Sequence, residues 1–128
     1  FSQGMLFTRY ELYEEFLSDT DPNGLTYRGK VCNVGHRMSV IQTGGYIKTV
    51  HTAAHELGHS LGAHHDGSGE AIACKAEDGF IMKDKSEADY QGKPYNKNRW
   101  LFSTCSINSF KVTLKHKYVQ CLYIDNKV

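Results

Sequence analysis

The chain has 128 residues and a mass of 14.5 kDa, one domain's worth of material, with 15 Lys and Arg against 14 Asp and Glu for a formal charge of +1. That balance excludes the basic footprint of a nucleic-acid binder and the polybasic patch of a membrane-surface protein. Eight Tyr, six Phe and one Trp beside two Pro argue against disorder, and no apolar run approaches the roughly 18 residues of a membrane span.

The chain starts on Phe1 and shows no charged start, apolar stretch and small-residue cleavage site, so it reads as a processed product or a piece of a longer chain. Residues 4–8 form a short apolar run with the character of a strand. Residues 11–17 carry Leu12, Tyr13, Phe16 and Leu17 at helical spacing, which suggests a short helix or turn. Asp21-Pro22-Asn23-Gly24 is a turn signal. Residues 25–32 and 38–42 read as two further strands, the latter rich in β-branched side chains.

Thr43-Gly44-Gly45 then breaks the chain, and a helix is expected from Tyr46 to about Leu61. Ile47, Val50, Ala54, Leu57 and Leu61 fall on one face of it, and Gly62 suits a left-handed end. Residues 67–78 and 91–99 read as loops. Ser103 is a credible N-cap for a last helix whose apolar face is Ile107, Phe110, Leu114 and Tyr118.

Cys32, Cys74, Cys105 and Cys121 are far apart and form no Cys-x-x-Cys pair. Such spacing disfavours a zinc ribbon or a thioredoxin-like motif and suits two disulfides, with four buried thiols as the alternative. Spacing does not choose among the three connectivities.

Chemistry concentrates in His55-Glu56-Leu57-Gly58-His59-Ser60-Leu61-Gly62-Ala63-His64-His65-Asp66. A helix stacks His55 and His59 on one face, where both reach a single zinc ion at about 2.0–2.1 Å. Glu56 follows the first ligand directly, so its carboxylate can lie beside the metal as a base without binding it. Gly62 can reverse the backbone and return His65 as a third ligand. Three neutral ligands leave one position open for water, the catalytic rather than the structural arrangement.

His-Glu-x-x-His alone arises by chance, but the extended His-Glu-x-x-His-x-x-Gly-x-x-His fixes five positions. His64 competes with His65, and the Gly-x-x-His spacing favours His65. His51 also lies on the face of His55, but a ladder through His51, His55 and His59 spans about 12 Å of helix axis, too far for one ion. It is read as a partly exposed residue or one supporting a ligand. His36 and His116 are read as surface residues.

These residues resemble the metzincin zinc metalloproteases. Asp66 after the third His is similar to the reprolysin (adamalysin) group. The astacin group has Glu there, and a Tyr two residues past its Met where this chain has Asp84. Met82, in Phe80-Ile81-Met82, matches the Met-turn that floors the metal, although the family usually has Cys where Phe80 stands. Residues 24–32 resemble the family's Gly-Leu-Ala-Tyr stretch ending in Cys, and Phe102-Ser103-Thr104-Cys105-Ser106 its Phe-Ser-x-Cys-Ser. The wording is most similar to reprolysins of tick saliva and related arachnid sources.

The resemblance runs along nearly the whole chain but covers only the later part of the family's catalytic domain. It implies an α+β, zincin-like fold for residues 1–128 as a single unit, with a mixed sheet and its edge strand, an active-site helix, a Met-turn and a C-terminal helix. It implies Cys32–Cys121 and Cys74–Cys105 disulfides, and makes residues 5–8 the edge strand that pairs with substrate. It implies a secreted endopeptidase of saliva or venom type with one Zn2+ per chain on His55, His59 and His65 and Glu56 as general base. Its partners would be extended proteins or peptides, matrix or clotting proteins among them, with no nucleic acid and no membrane span. The alternatives are a catalytically incompetent, truncated metzincin that binds a host protein, and a structural zinc site built from the cysteines.

Overall fold

The computed structural model describes residues 1–12, 23–84 and 96–123. Three strands, β1 (Gly4–Thr8), β2 (Gly24–Thr26) and β3 (Met38–Gln42), form one sheet in the order β1-β3-β2. β1 runs parallel to β3, from Gly4 opposite Met38 to Thr8 opposite Gln42. β2 runs antiparallel on the other side of β3, with Leu25 opposite Val40. Among the described residues the α-helices are α1 (Tyr46–Ser60) and α2 (Thr104–Leu114), with 3-10 turns between and after them. The architecture is α+β, as expected.

Ser39 and Ile41 alternate along β3 and are fully buried. A chain of side-chain hydrogen bonds ties this face to the end of α1. The Ser60 hydroxyl donates to Gln3 Oε1 at 2.7 Å, Gln3 Nε2 to Ser39 Oγ at 2.8 Å, and Ser39 Oγ to Thr26 Oγ1 at 2.8 Å. Buried hydroxyls are thereby satisfied without water.

The strand read over 25–32 is shorter than expected. It ends at Thr26, because Gly29 and Cys32 both take positive φ, at 67° and 68°. The segment instead folds across the end of α1. Val31 N donates to Ser60 O, and Gly29 N donates to His59 O, which it shares with the helix's own cap. Cys32–Cys121 fastens this segment to the turn Lys117–Leu122, and Cys74–Cys105 joins the 67–78 loop to the first turn of α2. Both pairings are those the resemblance implies.

α1 has the expected bounds, but its apolar face is not its buried face. Ile47, Val50 and Leu57 are exposed, while His51, Thr52, Glu56, Gly58 and Ser60 are buried. The helix turns its chemistry-bearing side toward the sheet and core. α2 behaves likewise. Ser103 caps it through a hydrogen bond from Ser106 N, as expected, and Phe110 packs inward. Ile107 and Leu114 are exposed, however, and the buried positions are Ser106 and Thr113. Tyr118 lies beyond the helix, in the turn Lys117–Leu122.

The 67–78 loop contains two 3-10 turns, Gly69–Ala71 and Ala76–Asp78, and the end of the 91–99 loop enters a third, Lys97–Trp100. Residues 13–17 of the expected short helix, Asp21 and Pro22 of the turn, and residues 91–95 lie outside the described residues. No helix among the described residues is long and apolar enough to cross a membrane. The core is Ala63, Ile81 and Met82, packed by Ala54, Phe102 and Phe110, with the two Phe rings edge to face at 4.9 Å.

Candidate active site

The helical turn of α1 stacks His55 above His59, with ring centroids 4.7 Å apart. The chain then leaves the helix in a double hydrogen-bonded cap: Ala63 N donates to Gly58 O and Gly62 N to His59 O. Gly62 has φ of 102°, and a Cβ there would overlap Thr113 Oγ1 of α2. Only glycine meets both demands without strain. The reversal brings His65 back to the helix, its Nε2 3.1 Å from His55 Nε2 and 3.0 Å from His59 Nε2.

The ring protons can be assigned from the opposite nitrogens. His55 Nδ1 faces Ile81 O at 2.8 Å, and His59 Nδ1 faces Ala63 O at 2.8 Å. A carbonyl only accepts, so both Nδ1 atoms carry hydrogen and both Nε2 atoms present lone pairs. Burial, reinforced by the neighbouring His59, lowers the His55 pKa to about 3 against the pull of Ile81 O. Burial also lowers His59 to about 4, and His65 is lowered chiefly by the same cause, with Asp84 and Asp66 opposing. His65 Nδ1 stands 3.8 Å from Asp84 Oδ1.

Three imidazoles thus converge, each with its pKa lowered by burial. Ligands about 2.0–2.1 Å from one tetrahedral ion stand about 3.3–3.4 Å apart, close to what is seen. Among the described residues, this is the one group of three or more His, Cys, Asp or Glu side chains placed to share an ion, with ligand atoms within 4.8 Å of one another. The donor set fits a zinc ion.

The segment around Met82 braces the cluster from below. Met82 is fully buried, and a Cβ on Gly58 would overlap its Sδ, so the thioether lies against α1 at Gly58. Ile81 O holds His55, and Met82 O accepts from Asp66 N at 2.9 Å. Asp66 is buried and accepts the Ser103 hydroxyl at 2.6 Å. Burial raises its pKa, and the Ser103 bond opposes that rise. The residue after the third His is thereby fixed to the cap of α2.

Glu56 is buried beside this cluster, its side chain against the backbone of Gly24 in β2. Burial pushes its pKa up to about 7. β1 and β2 lie on opposite sides of β3 in the described sheet, and β2 is the one that touches Glu56.

His64 stays outside the cluster, its ring over Gly69. His51 is buried, not partly exposed, and stands edge-on to Trp100 at 5.9 Å. His36 and His116 are exposed, against Tyr27 and Tyr118. Sequence reasoning missed the approach of Asp84 to His65 and the Asp66–Ser103 bond. The only signal for Asp84 was its place two residues after Met82.

The reprolysin (M12B) family zinc metalloprotease model matches residues 11–125. A protein of Bombyx mori named "A disintegrin and metalloproteinase with thrombospondin motifs like" is 37% identical over 114 residues, covering 78% of this chain and 15% of that protein. A "Zinc metalloproteinase-disintegrin-like kaouthiagin-like" protein of Naja atra is 28% identical over 116 residues, covering 84% of this chain and 17% of its own length. "Venom metalloproteinase BumaMPs1" of Olivierus martensii is 31% identical over 65 residues, half of this chain and 16% of that protein. The chain therefore spans about one-sixth of the length of these relatives. With a family match across most of its length and the three-histidine cluster in place, the chain belongs to the reprolysin (M12B) family of zinc metalloproteases.

Proposed function

We propose that this chain carries the zinc-binding and proton-transfer machinery of a secreted metalloendopeptidase. The observation that carries the reading is the convergence of His55 and His59 Nε2 on His65 Nε2, at 3.1 and 3.0 Å, with the buried Glu56 following the first of them directly in the helix. His55, His59 and His65 would hold one zinc ion. Bound there, zinc would supply the Lewis acidity that activates a water and stabilises negative charge on the scissile carbonyl oxygen.

The protein's own groups do the rest. Glu56 takes the proton of the attacking water on its carboxylate and passes it to the leaving amine. A carboxylate poised near neutral pH suits both halves of that exchange. The neutral histidines stay fixed because the carbonyls of Ile81 and Ala63 hold two of their rings. An extended substrate would add to β2 beside Glu56, on the side away from β3, with backbone pairing supplying affinity and little sequence preference.

Two disulfides suit an oxidising, extracellular setting. The venom relatives support a secreted role against extracellular proteins, matrix or clotting proteins among them. The test is cleavage of a general protein substrate by the purified chain, with chelator, zinc add-back and Glu56→Ala. Activity lost with chelator, restored by zinc and absent in the variant supports the reading. Full activity in Glu56→Ala refutes the role of Glu56. A chain that binds one zinc yet cleaves nothing supports the binding-module alternative.

A further inference from the structure

The three histidines are not held alike. His55 and His59 each lean on a backbone carbonyl at 2.8 Å. His65 has no such carbonyl among its described bonds; its Nδ1 faces the side chain of Asp84, with Oδ1 at 3.8 Å. Asp84 lies on the segment that already clamps the cluster, since Ile81 O holds His55 and Met82 O accepts from the backbone next to His65. Three residues of one short segment, Ile81, Met82 and Asp84, thus approach the first and third histidines or the backbone beside them.

We propose that Asp84 is a positioning residue for the third zinc ligand, its negative charge 3.8 Å from His65 Nδ1 favouring the tautomer with hydrogen on that nitrogen, so that Nε2 is the atom offered to the metal. The chemical reason is specific. His65 sits on the loop after Gly62, not on a helix, so its ring lacks the backbone constraint that α1 gives the other two. A carboxylate accepts only, so it selects the tautomer with hydrogen on Nδ1. Its negative charge makes the imidazole a stronger donor and offsets part of the dipositive charge of the ion. A carbonyl supplies the first of these effects and little of the second. The carboxylate is more than half exposed, at 57%, so its field is partly screened and its effect belongs at the lower end of what such outer partners contribute.

This inference rests on the zinc reading above, and its test separates the two. Zinc is titrated into the metal-free chain against a chromophoric chelator, at low salt and fixed pH, for the parent, Asp84→Asn, Asp84→Glu and His59→Ala. Cobalt(II) is substituted in parallel and its visible bands recorded. The expected result is zinc binding about tenfold weaker in Asp84→Asn, the low end of the 10–100-fold range for lost outer partners, with shifted cobalt bands and an unchanged urea midpoint. Asp84→Glu restores most of the affinity, and 0.5 M salt narrows the gap between parent and Asp84→Asn. Zinc affinity of Asp84→Asn within twofold of the parent overturns the inference while leaving the zinc site standing. Equal weakening in Asp84→Asn and Asp84→Glu also overturns it, since the carboxylate is then not the required group. Parent zinc binding unchanged by His59→Ala overturns the zinc reading itself, and this inference with it.

Discussion

Gly62→Ala tests how the chain delivers its third histidine. Two separate costs arise at that position. The backbone has φ of 102°, which an L side chain adopts at about 1–2 kcal/mol. The new Cβ also overlaps the Thr113 hydroxyl, and overpacking of this kind costs about 1–3 kcal/mol. The expected total is about 2–5 kcal/mol. Thr113→Ala removes the overlapping Oγ1 and leaves the backbone strain untouched. Gly62→Ala in the Thr113→Ala background should therefore cost only about 1–2 kcal/mol. The difference is the coupling energy of a double-mutant cycle. Urea unfolding followed by the fluorescence of Trp100, the single Trp, reads all four proteins. The same cost in both backgrounds would refute the contact with α2, and a cost below about 0.5 kcal/mol in either would refute the strained turn.

Other expectations follow from the same geometry. The Cys74–Cys105 and Cys32–Cys121 disulfides close loops of 31 and 89 residues, so their removal by paired Ala substitution should cost about 3–4 and 4–5 kcal/mol in the loop-entropy model. Comparable losses for both, or a smaller loss for the longer loop, would contradict it. The metal-free chain should respond to pH in two opposed ways. His55 and His59 have folded pKa values of about 3 and 4, below the ordinary 6.5, so their contribution is present above pH 6.5 and is lost as pH falls toward 3. Glu56 has its pKa raised from 4.5 to about 7, so its contribution is present below pH 4.5 and is lost as pH rises through 7. Metal-free Glu56→Gln should accordingly gain on the parent between pH 4.5 and 7, by up to about 3 kcal/mol. A difference in urea midpoint that stays flat across that interval would contradict the burial of the carboxylate.

Local signals decided what could be read in advance. Thr43-Gly44-Gly45 and Gly62 bracket α1, and the fixed spacing of His55, His59, Gly62 and His65 specifies a helix followed by a reversal, so the cluster was legible from residue order alone. The disulfides were not; their pairing came from the family likeness. The faces of α1 and α2 were misread because apolar periodicity assumes that the apolar side is the covered side. Here His51, Glu56 and Ser60 turn inward, where Trp100, Gly24 and Gln3 meet them. β2 ended early because Gly29 and Cys32 leave extended backbone and the segment serves α1, Gly29 N and Val31 N donating to its last carbonyls, a tertiary demand with no local signature. The choice of β2 over β1 as the strand beside Glu56 depends on sheet order, which short strands do not declare. Asp84 and the Asp66–Ser103 bond are contacts across 19 and 37 positions, beyond any periodic pattern.

The most direct test of the account is zinc X-ray absorption on the metal-loaded chain, with the metal content measured per chain. The expected result is one zinc per chain with three nitrogen ligands at about 2.0–2.1 Å and no sulfur. A chain that takes up no zinc, or a zinc with sulfur neighbours at about 2.3 Å, would contradict it.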